Sequence, residues 1–526
     1  MSYHKIASDD VRLTVLDEES LSTETSVNQY LQPPEDAPQG RHLGLFSTII
    51  MFVSRILGSG FLAISSGMYN DCGQSPFYFL LSWTIASVLA FSGLYVYLEL
   101  GSLIPRSGGT KVFLEFIYDS PYMMTSVIIS LYLVIFGFSL LNILVFGEYF
   151  LHALSIEPTL FRTRLVGLIL LFTVCFFHGV NMRHGVMIQD FLGLLKLALA
   201  GIIILTGFWS IFLPTLVTGL EKHLHWALFY PVKTQLTLAS FAGAVIKGTF
   251  AYAGWNSALT VTNEIKDPVR TLKVAGLASL AAITVTFIAI NVTYLVVIPS
   301  DEIAGSGELI GAVLFEKVFG YHFGRQFLTL SSALCTGGNV FVVLYSISRV
   351  SQEVFREGFL PYSEFMASNW PANAPLPALL LSCFLSTIVI VASPGGDMYS
   401  YVVSLESYPQ QIFIGLCAIG VFILRRKYPD VVAPVRASLF GTILLLAITG
   451  YLIILPLVGG NPNPKSMQNW IPYTYLGLLT LFVSFLYWLC MFVVGPYYGD
   501  YTLQLEIKEQ ADGLLVKHWY KVYRHL

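Results

Sequence analysis

The sequence predicts an all-α polytopic membrane protein of 12 transmembrane helices: a 5+5 inverted repeat with helices 1 and 6 broken, plus two extra helices. Two observations predict it. Of 526 residues 55% are hydrophobic and 12% charged, with a mean hydropathy of +0.68, far more apolar than a soluble domain. About twelve apolar stretches reach the roughly 20 residues that span a bilayer core as a helix, and two of these, five spans apart, carry a small-residue weak point.

The expected spans are 43–69, 76–101, 122–151, 164–181, 185–213, 238–263, 272–298, 323–351, 375–393, 399–424, 436–457 and 471–496. Residues 1–42 are rich in Asp, Glu, Ser and Thr and lack both a signal peptide's apolar core and helical periodicity; they predict a disordered cytoplasmic tail. Residues 43–213 then form the first five-helix repeat, 214–424 the second, 425–497 helices 11 and 12, and 498–526 a cytoplasmic C-tail. The net charge of −3 decides nothing about partners, and nothing points to nucleic acid. Roughly twenty of the 29 Lys and Arg, among them Arg41, Arg106, Lys111, Lys266, Arg270, Lys273, Arg425, Arg426 and Lys427, fall on one side if the N-terminus is inside. Both termini are therefore expected in the cytoplasm.

Cysteines 72, 175, 335, 383, 417 and 490 lie mostly inside apolar runs with no CxxC or Cys/His spacing, so neither a disulfide framework nor a metal site is expected, and no cofactor is implied. His223 and His225 alternate in an external loop without further ligands and read as solvated surface. The sequon at Asn291 lies inside a span and is discounted.

The first span, "VSRILGSGFLAISS", breaks at Gly58-Ser59-Gly60, and the sixth, "KGTFAYAGWNSALTVTNE", has its weak point at Ala251–Gly254. With five spans between repeat starts, the sixth enters from the side opposite the first, as inverted topology requires. Glycine also serves close packing in membrane helices, but two breaks at corresponding places favour a functional role. No ring-forming filter suggests a channel, and no HExxH or nucleophile–base motif suggests an enzyme.

"RILGSGFLA", "YVYLELGSLIPRSGGTKVFLE", "QDFLGLLKLALAGIIILTG" and "FAYAGWNSALTVTNEIKDPVRTLK" resemble the amino acid, polyamine and organocation superfamily, within it the L-type amino acid transporter branch. "PQGRHLGLFSTIIMFVSRILGSG" and "VLYSISRVSQEVFREGFLPYSEFMASNWPANAPLP" are closer still to fungal methionine permeases of the low-affinity type. The resemblance implies a LeuT-like fold and proton-coupled uptake of a small neutral amino acid across the plasma membrane. L-type light chains join a heavy subunit through a cysteine in the loop after the third span. Here that loop, "LHALSIEPTLFRTR", has none, so no disulfide-linked heavy chain is expected.

An unwound helix exposes backbone N–H groups at the positive start of its second half. Gly58, Ser59 and Gly60 suit a substrate carboxylate there, because backbone without Cβ permits close approach and Ser59 adds a hydroxyl. The carbonyl of Ile56 ends the first half and suits an ammonium group. By the family pattern Phe250 and Ala253 add carbonyls around that group, and Phe250 is the aromatic gate. No acidic residue lies in the middle of the first or sixth span, which argues for an uncharged substrate side chain. The third span ("GFSL", with Phe138 and Ser139) and the eighth ("GGNVF", with Asn339) are expected to shape the side-chain pocket together with Asn256.

Lys196, deep in the fifth span, needs a purpose or a partner. It matches the lysine that in several superfamily members replaces a sodium ion; desolvation disfavours its ammonium form, which makes it the candidate for proton coupling, or else a fixed brace of the first helix. Arg55 with Glu264, or with Asp190, is expected to form an inner gate; snorkelling of Arg55 is the alternative. Lys247 is expected to line the external vestibule, and Glu99 to fix the adjacent "IPRSGG" loop. Lys5 and the Ser/Thr of the N-tail suit ubiquitin-ligase adaptors or an inert linker. The same residues also suit an exchanger of broader neutral specificity, or a nutrient receptor of transporter fold.

Overall fold

The computed structural model describes residues 44–523 except 59, 105–108, 181, 226–228, 256–264, 370–374, 394–396, 460–462, 464–466, 468 and 510–514, and leaves out some side chains within helices, that of Asp190 among them. The expected N-tail with Lys5, and Ser59, Asn256, Glu264 and most of the "IPRSGG" loop, thus lie outside the described residues.

The first apolar stretch forms three pieces, α1 (Leu45–Ile56), α2 (Gly60–Ala63) and α3 (Ser65–Asp71). Then follow α4 (Pro76–Leu103), α5 (Thr110–Ile117), α6 (Met124–Ile135), α7 (Leu141–Ala153), α8 (Leu160–Val180), α9 (Met182–Phe212) and α10 (Leu238–Ala251). The second half holds α11 (Pro268–Val297), α12 (Ser300–Gly305), α13 (Ile310–Phe319), α14 (Thr329–Arg356), α15 (Leu376–Ala392), α16 (Met398–Lys427), α17 (Leu439–Val458) and α18 (Tyr473–Trp488). Among the described residues eight helices are long and apolar enough to cross a membrane. Shorter apolar helices, α6, α7, α10 and α15, occupy further expected spans. Pro76 and Pro268 sit at the first turns of α4 and α11, where the missing N–H would be unpaired in any case.

One correction concerns the third span. It is not a continuous helix: α6 and α7 are separated by an unwound Phe136–Leu140. Gly137 turns its N–H back to Val134 O at 3.0 Å, a Cβ there would meet that oxygen at 2.8 Å, and the Ser139 N–H leaves the helix ladder for Ser386 Oγ on α15 at 2.9 Å. Tight turns at glycine and a side-chain acceptor replace the missing intrahelical bonds.

The main core holds Trp83, Tyr97, Tyr149, Tyr252, Tyr294 and Tyr408 fully buried, and a second, smaller cluster gathers around Val127, Phe355, Trp488 and Val516. Tyr149 on α7 donates to Leu62 O at 2.7 Å and accepts from Gly311 N at 3.2 Å, tying the second half of the first span to α13. Ser65 donates to Asn291 Oδ1 at 2.7 Å, and Asn291 is fully buried, which accounts for the sequon as a packing residue of α11. All six cysteines are free.

At the far end of α4, Glu99 takes a two-pronged bond from Arg425 (2.7 and 2.6 Å) and the Ala437 N–H (2.6 Å). Glu99 therefore fixes the α16–α17 connection. The chain closes with an antiparallel hairpin, β1 (Tyr501–Glu509) and β2 (Leu515–Tyr523), with Leu505 opposite Trp519. Val516 is buried, and Trp519 Nε1 donates to Glu357 O at 2.9 Å, so the C-tail docks onto the end of α14.

Candidate functional site

Leu57 still closes the ladder with its N–H on Val53 O at 2.9 Å, and the first span unwinds at Gly58, which leaves it. Gly58 N–H bonds Ile56 O at 2.8 Å, a tight turn that uses one of the two lone pairs a carbonyl oxygen carries. The sixth span ends as a helix at Ala251; Ala253 N–H bonds Phe250 O at 2.9 Å, and Gly254 follows with φ 109°, a conformation open to glycine. The two breaks touch. A Cβ on Gly60 would lie 3.3 Å from Ala251 Cα, and one on Gly254 would lie 3.0 Å from Arg55 Cγ. Small residues at 60, 251 and 254 are what let the two unwound backbones meet.

Lys196 on α9 and Asn339 on α14 converge beside the first break. The Lys196 ammonium donates to Asn339 Oδ1 at 2.5 Å, both side chains are buried, and a Cβ on Gly58 would lie 3.9 Å from Asn339 Nδ2. Asn339, expected as a pocket residue, is thereby also the hydrogen-bond partner of Lys196. Gly337 and Gly338 pack against Phe146 and Leu192, drawing α14 close to α7 and α9.

Phe250, Ala253 and Gly254 line a cavity with Ala86 of α4, Ser407, Gln410 and Gln411 of α16 and Leu445 of α17. Gly58, Lys196 and Asn339 do not line it. The residues predicted for one site therefore form two neighbouring groups, one beside the first break and one at the sixth. Gln411 Nε2 donates to Thr249 Oγ1 at 3.0 Å, fastening α16 to the last turn before the sixth break. Trp255, just past that break, lies edge-on to Tyr97 with ring centroids 4.9 Å apart and presses on Gly93, where a Cβ would come within 2.9 Å of the indole.

Phe138 packs on Phe136 at 6.0 Å and Ser139 is buried, both in the third-span break. Arg55 is exposed and donates to Ser346 Oγ of α14 at 2.6 Å; Glu264 lies outside the described residues. Lys247, expected to line a vestibule, is instead buried and bound to Asp71 of α3 at 2.8 Å. That pair joins the last turn of the broken first span to the helix before the sixth break.

Sequence reasoning placed α16 as a span but missed its part in the cavity. Its run "ESYPQQ" puts Glu406, Ser407, Gln410 and Gln411 inside an otherwise apolar span. Polar residues concentrated around Pro409 were the available signal.

Discontinuous helices that meet within a bundle of membrane-length helices, beside a polar-lined cavity, are the architecture of a multi-pass membrane transporter. Residues 43–498 match the amino acid permease family. The chain is 39% identical over 498 residues to the low-affinity methionine permease of Saccharomyces cerevisiae, covering 92% of this chain and 89% of that protein. It is 31% identical over 490 residues to the high-affinity methionine permease of the same yeast (92% and 84%), and 28% identical over 448 residues to the mouse large neutral amino acids transporter small subunit 2 (83% and 81%). The chain belongs to the amino acid permease family: it is a transporter and not an enzyme.

Proposed function

We propose that this permease imports a neutral amino acid, methionine first among them, by proton-coupled alternating access. The observation that carries the reading is the contact between the breaks at Gly58–Gly60 and Ala251–Gly254. There, with the Gly58 N–H turned onto Ile56 O, the following amides at 59–60 take the carboxylate of a zwitterion and the backbone carbonyls of Ile56, Phe250 and Ala253 face its ammonium, with no charged side chain required. Two yeast relatives named as methionine permeases support methionine as the substrate.

In this reading the chain crosses the membrane twelve times as a LeuT-like 5+5 inverted repeat with two added helices. Both termini are cytoplasmic, the membrane is the plasma membrane, no disulfide-linked heavy chain is needed, and the tails are open to ubiquitin-ligase adaptors. Phe250 gates the substrate, and Phe138, Ser139, Asn256 and Asn339 contact its side chain. Arg55 closes the inner side with Glu264 or, as its bond to Ser346 supports, with α14. Lys196, held by Asn339, exchanges the driving proton.

Purified protein in liposomes, given a panel of amino acids and imposed proton gradients, tests this. Saturable methionine accumulation that follows the proton gradient is expected. If no neutral amino acid moves under any gradient, the reading fails.

A further inference from the structure

Glu406 is a carboxyl inside the membrane region that nothing above employs. It lies eight residues into α16, about 12 Å along the helix at 1.5 Å per residue. It is half-buried, and the residues after it, Ser407, Gln410 and Gln411, line the cavity at the sixth-span break. The third span packs on this turn of α16: the Tyr132 hydroxyl of α6 donates to the backbone carbonyl of Glu406 at 3.1 Å, and the Tyr132 ring packs edge-on to Phe413 about two turns further along α16, with centroids 5.1 Å apart.

The charged groups on the helices packed around α16 are engaged elsewhere. Lys247 of α10 binds Asp71, Glu99 of α4 binds Arg425, and Lys111 of α5 binds Glu357 and Glu115. Glu148 of α7 faces Glu308. His152 of α7 lies by Glu316; among the described residues the Tyr132 phenol is near Glu406, and no Lys, Arg or His forms an ion pair with the Glu406 carboxylate. A carboxylate held in this way, near a cavity and without a counter-ion, is costly, and one proton removes the cost.

We propose that Glu406 is a proton-binding residue of the transport path, in addition to Lys196. One proton adds to a carboxylate oxygen from the outer side and leaves to the inner side, and no bond to the substrate is made or broken. Neutral Glu406 lets α16 and α6 stay packed at the breaks while substrate is held; its ionisation favours opening and the entry of water. The proposal rests on the permease reading.

The test compares wild type, Glu406→Gln and Glu406→Asp, full-length and in liposomes, by methionine accumulation under an imposed proton gradient and by methionine counterflow without one. Glu406→Gln is expected to lower accumulation at least about tenfold more than it lowers counterflow and to flatten the pH profile. Glu406→Asp should restore accumulation with a shifted pH midpoint. Equal losses in both assays, or accumulation at the wild-type level, would overturn the proposal. So would inhibition by lysine that disappears in Glu406→Gln, which would assign the carboxyl to substrate recognition. If Glu406→Gln does not fold, as judged by a methionine-dependent thermal shift, an unchanged midpoint in Glu406→Asp overturns it. Wild-type protein that neither accumulates nor exchanges any neutral amino acid sinks the permease reading instead.

Discussion

Gly254 rests against Arg55: its φ is 109°, and a methyl group placed on it would lie 3.0 Å from Arg55 Cγ and 3.3 Å from Arg55 O. The two unwound segments are thus held face to face by an absent side chain. Gly254→Ala meets both the strained φ, which costs about 1–3 kcal/mol, and the contact. We expect methionine uptake to fall by about tenfold or more at normal membrane abundance, as measured by radiolabelled uptake beside quantified surface protein. Full uptake would mean that the breaks do not need to touch.

The Lys196–Asn339 bond predicts different outcomes for its two ends. Lys196→Ala should flatten the pH dependence of uptake while methionine still stabilises the protein against heat. Asn339→Ala leaves a buried ammonium without its acceptor, a loss of about 1–3 kcal/mol that should appear as a lower unfolding temperature in detergent. An unaltered pH profile in Lys196→Ala removes Lys196 from the coupling and leaves the substrate site standing.

Asp71 and Lys247 are bound at 2.8 Å with side chains 23% and 3% exposed. Removing one member of a buried pair costs about 3–5 kcal/mol, whereas replacing both by apolar groups is often near neutral. Lys247→Met alone should lower thermal stability strongly, and Asp71→Leu with Lys247→Met should recover most of it. A double variant as unstable as the sum of its singles would show that the pair is not coupled.

Glu357 joins the hairpin to the end of α14, receiving Lys111 at 3.0 Å and Lys517 at 2.7 Å. Burial alone would push its carboxyl up, but the two ammonium groups outweigh burial and hold it below the usual carboxylate range. Its contribution is therefore complete above the unfolded value of about 4.3. It disappears as the pH falls through the depressed folded value. Glu357→Gln should expose residues 501–523 to protease at neutral pH, and wild type should show the same exposure only in acid. Equal resistance in both proteins would mean that Trp519 and Val516 hold the hairpin unaided.

Much of the architecture was legible because bilayer thickness sets a length that apolar runs must meet, and the breaks at Gly58–Gly60 and Ala251–Gly254 advertise themselves in small residues. The third-span break was harder to see. Phe136–Leu140 carries one glycine and one serine among apolar residues, and its unwinding depends on a distant acceptor, Ser386, that no local pattern reveals. Lys247 was misplaced for a related reason: hydropathy locates a charge along a helix but not its partner on another, and Asp71 lies far away in the chain. Glu99 was expected to fix the adjacent "IPRSGG" loop, whereas its carboxylate holds Arg425, 326 positions on, and Ala437 N–H. The hairpin escaped notice because a polar tail of alternating residues forms strands only when α14 offers Glu357 and a surface for Val516.

The indole of Trp255 sits immediately beyond the sixth break, wedged between Gly93 and the ring of Tyr97. Any movement of that break relative to α4 must change the surroundings of this one chromophore. With the chain's seven other tryptophans replaced, its emission becomes a built-in optical gauge of the transport cycle, readable without any attached label.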